Sequence, residues 1–465
     1  MASGAVAKAT APALSYPLPG QGRPWGCRGA PGQTAPVGGM PMRVLQVVGS
    51  AEGGLRRHLV QLLRGLAGHR FVVAGPPAVL AGLDALPAVE ALWPLPGGGG
   101  SWAPAGHGRE PWADPGDGQS PPFDLVHVHG WRPAWAVFRK MAPSWPTVWT
   151  LHTRPPAGVL ARLWLGRLFR AAEGRPLRVI AVSESLAREV AQLWPGGAAR
   201  LQVVRNGLAR EEMDALAQRR RREQAARLDW SAASEAQGEA PEGPAEHPVG
   251  PREPPIPIPI LGYLGRLWAP KGVLDAVEVL ARLVQAGWPA VLVVGGEGPH
   301  REAAVRLARN RGVAERLHLL GWQEPEPFFA RIDLLLHPSR GEGGFPYTIM
   351  EAMAAGVPVV GYRLPAIDEV VARPGRPGGQ ELLHLVPPGD RAALSRRCAL
   401  CLHQAERTAR QAEAAAAFAR ETFSLERTLG AVEGIYRQVV REAAAVQGEP
   451  APAGAGLAGP DQVRI

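Results

Sequence analysis

Two short segments in the second half of the chain combine cations, carboxylates and glycines in a pattern suited to holding a diphosphate. The first spans residues 265–272 (GRLWAPKG), after a predicted strand and before a predicted helix. A guanidinium at Arg266 can bind phosphate oxygens through two parallel N–H bonds, and the Lys271 ammonium is a mobile point charge. The structural alternative is two solvated charges on a surface loop. Since only three of the 51 basic residues are lysines, Lys271 favours the diphosphate interpretation.

The second segment spans residues 339–352 (SRGEGGFPYTIMEA) and also leads from a predicted strand into a helix. Gly344 lets backbone approach a ligand closely, and Pro346 suits the first helical position. The amides around Phe345 and Tyr347 at the helix start can bind an anion. Glu351, further along this helix, can accept hydrogen bonds from a ribose or a sugar. The structural alternative is an ordinary loop followed by a helical glutamate.

The first half of the chain carries fewer candidate residues. Residues 49–54 (GSAEGG) close the first strand-to-helix turn and place Gly53 and Gly54 at the edge of any cleft. Residues 124–130 (DLVHVHG) end a predicted strand on His129, and strand alternation puts His127 on the same side. A single histidine there is more often structural than catalytic, and the same holds for His152.

Two nucleotide-binding classes lose their main support. Residues 295–299 (GGEGP) follow a predicted strand but do not fit G-x-G-x-x-G, and the chain contains no G-x-x-x-x-G-K-[ST]. Neither redox dinucleotide binding nor P-loop hydrolysis is therefore indicated.

The elements that must position these residues form two alternating series of apolar runs and amphipathic helices. Short apolar strands separated by helices predict parallel sheets buried on both faces, with ligands bound at the strand carboxyl ends. In the first half we predict strands at 44–48, 71–74, 124–128, 147–151, 178–182 and 201–204, and helices at 55–66, 134–141, 158–172 and 184–193. In the second half we predict strands at 258–264, 290–294, 316–319, 334–337, 357–360 and 383–386, and helices at 273–285, 300–311, 325–330, 347–355, 391–418 and 425–440.

Length and composition fit two domains with accessory segments. The 465 residues are 46% hydrophobic, and the 57 glycines and 48 prolines cluster near the N-terminus, at 94–122 and at 229–257. Three cysteines are too few for a disulfide framework and favour a reducing compartment. Cys398 and Cys401 form a C-x-x-C that a helix explains better than zinc or redox chemistry. No signal peptide and no membrane-spanning run is apparent.

The net charge of +9 suggests an anionic partner. Nearly all of the basic residues are arginine, however. Such a preference reflects overall composition and weakens the interpretation of the charge as a nucleic-acid-binding feature. We therefore predict no nucleic-acid partner.

Together these motifs resemble the family 4 glycosyltransferases of the retaining GT-B class. The resemblance covers about residues 42–208 and 256–440 and is most specific in the second half. The matching pieces are GGLRRHL (53–59), DLVHVHG (124–130), VIAVSESL (179–186), VVRNG (203–207), YLGRLWAPKG (263–272), VGGEGP (294–299), HLLGW (318–322) and HPSRGEGGFPYTIMEAMAAGVPVV (337–360). It implies two doubly wound, Rossmann-like domains of parallel sheet facing a cleft, with a C-terminal helix crossing back to the first domain.

The resemblance also implies a division of the chain. Residues 42–208 form an acceptor-side domain and residues 258–424 a donor-binding domain, joined by a linker or insertion at 209–257. The crossing helix spans 425–442. The ends, 1–41 and 443–465, are interpreted as disordered tails, the first alternatively as a misassigned start.

Roles at the matched positions follow from the resemblance. Arg266 and Lys271 would hold the donor diphosphate, Glu351 the ribose and Glu342 the transferred sugar. His129 would lie beside that sugar and the acceptor hydroxyl. Gly53, Gly54, Gly265, Gly344, Phe345, Pro346 and Tyr347 would complete the donor site. No metal and no cofactor is expected, because the nucleotide-sugar is a co-substrate and the departing diphosphate helps deprotonate the acceptor.

Three departures from the family pattern are visible. Eight residues separate Glu342 from Glu351, where the family has seven, so we expect a one-residue bulge in the loop or loss of the first glutamate's role. Asn206-Gly207 is not followed by the acidic residue common at that place. Residues 94–122 and 209–257 look like insertions, so acceptor contacts cannot be carried over.

The sequence is compatible with three functions. The first is transfer of a hexose-type sugar to a glycan or lipid-linked acceptor, in the cytoplasm and peripherally at the inner membrane face. The second is a nucleotide-sugar epimerase on the same fold. The third is a non-catalytic sugar-nucleotide-binding protein, which the irregular glutamate spacing allows.

Overall fold

The computed structural model describes residues 40–49, 53–95, 123–236, 258–372 and 381–447. All of them belong to one unit, Met40–Ile465, built from two α/β lobes. The expected tail at 1–41 falls almost wholly outside these residues, as do most of the insertion at 94–122 and the end of the segment 209–257.

The first lobe is a seven-stranded parallel sheet in the order β3-β2-β1-β4-β5-β6-β7. Valine, leucine and isoleucine fill its central strands, which are buried on both faces, as a parallel sheet between helices requires. Pairing of β1 with β4 sets Gln46 opposite His127 and Val48 opposite His129. The strands are β1 (Arg43–Val48), β2 (Arg70–Gly75), β3 (Val89–Pro94), β4 (Leu125–His129), β5 (Thr147–Leu151), β6 (Leu177–Ala181) and β7 (Leu201–Val203).

Five helices connect these strands. Ser183 caps the fifth by accepting a hydrogen bond from the Leu186 amide at 3.1 Å, as a serine directly before a helix is expected to do. The helices are α1 (Gly54–Gly65), α2 (Pro77–Leu80), α3 (Trp131–Lys140), α4 (Val159–Ala172) and α5 (Glu184–Leu193).

The second lobe is a six-stranded parallel sheet in the order β10-β9-β8-β11-β12-β13. Its strands are β8 (Ile260–Leu264), β9 (Val291–Gly295), β10 (Leu317–Gly321), β11 (Leu334–His337), β12 (Val359–Tyr362) and β13 (His384–Val386). Its helices are α6 (Arg210–Ala236), α7 (Val273–Gln285), α8 (Arg301–Asn310), α9 (Pro325–Arg331), α10 (Tyr347–Ala355), α11 (Pro365–Val371), α12 (Arg391–His403) and α13 (Ala405–Thr422).

Two helices join the lobes. Helix α6 lies in the segment expected to be a linker, yet its Met213 and Leu216 pack into the core of the second lobe with Phe329. The C-terminal helix α14 (Leu425–Gln447) crosses back, and its Val432 and Tyr436 are fully buried among the strands of the first lobe. The architecture is thus the two-lobed GT-B arrangement with a crossing helix that the sequence predicts.

Several local expectations are wrong. The single helix expected at 391–418 is two helices, because the chain turns at Gln404. No glycine or proline at that position marks the turn in the sequence. Helix α14 continues to Gln447, so residues 443–447 are helical and not tail. Pro346 is the N-cap of α10 and not its first residue. Strand β3 and helices α2 and α11 are additional; β3 is a partly exposed edge strand and lacks a strong apolar pattern.

Candidate functional site

Two loops of the second lobe, following β8 and β11, are pressed together at the carboxyl end of the sheet. The Arg340 amide donates to the Pro270 carbonyl at 2.8 Å. Gly272 has a φ of 77°, and a Cβ there would lie 2.0 Å from the Pro338 oxygen. Glycine is therefore required at 272 both by its left-handed conformation and by the approach of the second loop.

This packing brings together two of the predicted catalytic residues. The Lys271 ammonium donates to both carboxylate oxygens of Glu342, at 2.6 and 2.8 Å. Burial alone would raise the pKa of Glu342, but the Lys271 charge and the neighbouring His337, whose Nε2 lies 3.5 Å from Oε1, lower it to about 2. The site thus contains an ionised carboxylate and a cation held at a fixed place beside it.

Arg266 and Gly265 open the same loop. Arg266 is exposed, with its guanidinium 5.4 Å from the ring centroid of the exposed Trp268. Beneath them the Tyr263 hydroxyl donates to the Arg266 carbonyl at 2.8 Å and contacts the Lys271 carbonyl at 3.3 Å. Burial raises the pKa of this phenol, which therefore stays a donor. Tyr263 fixes the backbone that carries both predicted phosphate-binding cations.

Glu351 does not face open solvent. It is 3% exposed, and its carboxylate forms an ion pair with the Arg57 guanidinium, which comes from α1 in the first lobe. Arg57 also pairs with Glu212 of α6 and lies 4.7 Å from the centroid of the Tyr347 ring. One guanidinium thus connects both lobes at the place where ribose binding is predicted.

The starts of helices α1 and α10 meet at this place. A Cβ on Gly54 would lie 3.2 Å from the Tyr347 ring, and the Tyr347 hydroxyl donates to Gln61 of α1 at 2.8 Å. Neither helix has a side-chain cap or an acidic residue in its first turn, and Gly53 enters α1 with a φ of 65°. Two helix starts without side-chain caps therefore lie next to each other, an arrangement that favours an anion.

The glycines of the second-lobe loop form the contact with the first lobe. A Cβ on Gly343 would lie 2.2 Å from the His152 oxygen, and one on Gly344 would lie 2.7 Å from a Val182 methyl. The Ser183 hydroxyl donates to the Gly343 carbonyl at 2.7 Å. Next to this loop Phe345 is buried against Phe423, with ring centroids 4.7 Å apart.

His129 lies deeper than the sequence suggests. It is 1% exposed, and its Nε2 lies 2.8 Å from Oε1 of the Gln46 side-chain amide, an oxygen that can only accept. Nε2 therefore carries the proton, and Nδ1, 3.1 Å from Nε2 of His152, accepts. Gln46 in turn donates to the Tyr436 hydroxyl at 3.1 Å, so the crossing helix helps set the tautomer of His129.

Three imidazoles gather here. The ring nitrogens of His58, His129 and His152 lie within 4.8 Å of one another, and among the described residues they form the one group of this kind. Burial lowers the pKa of all three, that of His58 to about 4, so they are neutral. Neutral imidazoles are ligands for zinc and related ions. His152 is the most exposed of the three, so any contact of His129 with a sugar would pass by it.

The sequence thus singles out most of the second-lobe residues around Lys271 and Glu342, but it does not single out the first-lobe side chains that contact this region. Arg57 and His58 stand in the matched motif GGLRRHL. Nothing in that motif indicates that Arg57 pairs with a carboxylate 294 residues further along the chain, or that His58 lies beside two other histidines. Tyr263 and Tyr436 look like ordinary core residues. The C-x-x-C behaves as expected: Cys398 and Cys401 are free, buried and on α12.

Comparison with protein families covers both lobes. Residues 52–212 match the model described as Glycosyltransferase Family 4, and residues 258–404 match the one described as Glycosyl transferases group 1.

Curated relatives agree over part of the chain. It is 29% identical over 184 residues to an alpha-D-kanosaminyltransferase of Streptomyces kanamyceticus, covering 39% of this chain and 46% of that protein. It is 33% identical over 156 residues to a 2-deoxystreptamine N-acetyl-D-glucosaminyltransferase of Streptomyces fradiae, covering 32% and 35%. The matches span less than half of each of these relatives. They favour neither the epimerase nor the non-catalytic alternative.

Solved structures show the same fold over nearly the whole chain. Anabaena Alr3699/HepE in complex with UDP and glucose superposes with a TM-score of 0.60 at 19% identity, covering 84% of this chain and 98% of that one. WaaG, a glycosyltransferase involved in lipopolysaccharide biosynthesis, superposes with a TM-score of 0.54 at 16% identity, covering 87% and 100%. With two lobes, a crossing helix and family matches on both sides of the cleft, the chain belongs to the family 4-like glycosyltransferases of the GT-B fold.

Proposed function

We propose that this chain is a retaining, metal-independent glycosyltransferase that moves a hexose-type sugar from a nucleotide-diphosphate sugar to a glycan or lipid-linked acceptor. The observation that carries the proposal is the junction of Lys271, Glu342 and the starts of α1 and α10. A cation paired with the loop that leads into α10, together with the contact between the starts of α1 and α10, suits the diphosphate of such a donor. Anabaena Alr3699/HepE, which shares the fold, has been crystallised with UDP-glucose, and this supports the same donor class here.

The proposed chemistry follows from where negative charge develops. The bond between the anomeric carbon and the donor phosphate oxygen breaks, and a bond to the acceptor oxygen forms on the same face of the sugar. The acceptor proton passes to the departing diphosphate. Lys271 and Arg266 then offset the charge that the diphosphate gains, and preorganised groups of this kind usually make the largest catalytic contribution.

Glu342 has two tasks in this proposal. In the structure its carboxylate neutralises Lys271, so the ammonium is held in place before a donor arrives. With a donor bound, Lys271 would contact phosphate, and Glu342 could accept hydrogen bonds from the sugar. Glu351 would meet the ribose beside Arg57, and the amides of Phe345 and Tyr347 would hold the distal phosphate.

The acceptor side is proposed to lie in the first lobe, beside the histidine cluster, while Gly53 and Gly54 approach the donor diphosphate from that lobe. We assign the enzyme to the cytoplasm, peripherally at the inner face of the membrane. Among the helices that the structure describes, none has both the length and the hydropathy for a membrane span.

Nucleotide binding tests the proposal before an acceptor is known. In a thermal-shift panel of UDP, GDP and ADP, we expect one diphosphate to stabilise the protein, by about 2.7 kcal/mol at a hundred times its Kd. Lys271→Ala should weaken this shift, whereas Lys140→Ala on α3 should leave it unchanged. No shift with any diphosphate, or an equal shift in Lys271→Ala, would count against the proposal.

A further inference from the structure

Helix α4 of the first lobe exposes an unusual run of apolar side chains at its N-terminal end. Val159, Leu160 and Leu163 are 77%, 82% and 58% exposed. At 3.6 residues per turn these three positions lie within one side of the helix. Large apolar side chains that are this exposed and this close together are typical of an interaction surface, whereas single exposed apolar residues are common on any protein.

The same side of α4 becomes basic toward its C-terminal end. Arg167 and Arg170 continue the line of Val159 and Leu163, and Arg162 borders it; all three are exposed. Helix α4 contains no aspartate or glutamate between Val159 and Ala172. Exposed apolar side chains next to arginines, on a helix without acidic residues, complement the apolar and anionic layers of a membrane interface.

The neighbouring helix α3 extends the basic surface. Arg132, Arg139 and Lys140 are exposed on it, and α3 also lacks acidic residues. The rings of Trp135 on α3 and Trp164 on α4 lie 6.0 Å apart and join the two helices. Six cations around three exposed apolar side chains complement an anionic, amphiphilic partner.

This surface adjoins the cleft. The connection from β5 to α4 begins at His152, whose carbonyl is packed against Gly343 of the second-lobe loop. Along this connection Arg154 pairs with Glu189 of α5 at 2.9 Å, so the negative charge of Glu189 is compensated. A partner held by α3 and α4 would therefore lie at the entrance to the first-lobe side of the cleft.

We propose that helices α3 and α4 seat the enzyme on an anionic phospholipid surface, with Val159, Leu160 and Leu163 entering the headgroup region. The inference rests on the proposed function, and it assigns the acceptor to the lipid-linked class. Binding then combines buried apolar area with attraction between the arginines and anionic headgroups.

Vesicle sedimentation of the full chain tests the proposal. We expect binding to vesicles of phosphatidylcholine mixed with phosphatidylglycerol, and little binding to phosphatidylcholine alone. Raising the salt from about 0.1 to about 1 M shortens the Debye length from about 10 to 3 Å and should reduce binding. The double substitution Leu160→Gln with Leu163→Gln should lower partitioning roughly tenfold.

A matched control uses exposed apolar side chains of the second lobe and the crossing helix. Leu400 is 42% exposed and Val446 85% exposed, and replacing both by glutamine should leave vesicle binding unchanged. If the wild-type chain does not bind mixed vesicles, or if both double variants bind equally, the proposal is overturned. It is also overturned if the wild-type chain binds no vesicle but forms a dimer that the α4 double variant abolishes. Thermal shifts with nucleotides are measured without lipid. If vesicle binding fails, the donor proposal can therefore still be tested separately.

Discussion

At the scale of single residues, the most consequential side chain is Arg57. It neutralises Glu351, whose side chain is only 4% exposed, and its other terminal nitrogen forms an ion pair with Glu212. A buried carboxylate without its cation is costly, because neither water nor another charge compensates it. Arg57 therefore stabilises the contact between the lobes as well as the place where the ribose is proposed to bind.

Replacing Arg57 tests this role. Arg57→Ala should lower the free energy of unfolding by about 3 kcal/mol, since it leaves Glu351 buried and unpaired. Adding Glu351→Gln to that variant should restore part of the loss. Arg363→Ala is the control, because Arg363 pairs with Asp368 on the surface and such pairs contribute about 1 kcal/mol or less. Urea unfolding measures all three, and equal effects of the two arginine substitutions would refute the role.

The histidine cluster predicts a pH dependence of stability. The pKa of His58 falls from 6.5 to about 4 on burial, and those of His127, His129 and His152 fall as well. Between these values the unfolded chain binds more protons than the folded one. Stability should therefore be full above pH 6.5 and fall as the pH drops toward 4, with His58 alone contributing about 1.4 kcal/mol per pH unit and the other three histidines adding in the same direction.

Unfolding of the wild-type chain and of His58→Phe between pH 7 and pH 5 measures this effect. The variant removes one titrating group, so its stability should fall less steeply over this range. An equal slope in both proteins would show that His58 does not contribute.

At the scale of elements, the start of α5 is held by the other lobe. Glu369 of α11 accepts hydrogen bonds from the amides of Glu184 and Ser185, at 2.8 and 2.7 Å. A carboxylate at a helix N-terminus satisfies free amides and complements the helix dipole. The contact is therefore an N-terminal cap supplied across the cleft.

Removing that carboxylate should cost stability. Glu369→Ala is expected to lower the unfolding free energy by about 1–2 kcal/mol, the usual effect of losing a cap. Glu189→Ala, in the exposed pair with Arg154, should change it by about 0.5 kcal/mol or less. Chemical denaturation compares the two, and a Glu369 effect no larger than the Glu189 effect would contradict capping.

The elements themselves follow from sequence where the local signal is strong. Buried strands such as β5 and β11 appear at their predicted residues because a run of apolar residues bounded by turns has few other solutions. Strand β3 is missed because an edge strand exposes half of its side chains. The break at Gln404 is missed because no local residue type marks it. Helix α6 lies in the segment expected to be a linker or insertion, and its packing on the second lobe depends on tertiary contacts that charge and periodicity do not reveal.

At the scale of the whole molecule, the two halves of the cleft differ in how far sequence can describe them. Arg266, Lys271 and Glu342 lie in neighbouring loops of one sheet, so their convergence at its carboxyl edge is predictable. Arg57 with Glu351 and Glu369 with α5 join residues from different lobes, and the order of motifs along the chain does not specify such pairs. His129 is placed on the correct strand, but its burial depends on contacts with Gln46, His58 and His152 from other elements of the first lobe, which the local sequence pattern does not specify.

The rate of nucleoside diphosphate release from UDP-, GDP- and ADP-sugars tests the central claim most directly. The account predicts that one donor is consumed and that Lys271→Ala lowers kcat/KM by an amount equivalent to about 2–4 kcal/mol of transition-state stabilisation. Lys140→Ala, which removes a lysine from the surface of α3, should retain the wild-type value. Equal kcat/KM for the wild-type chain and Lys271→Ala would contradict the account.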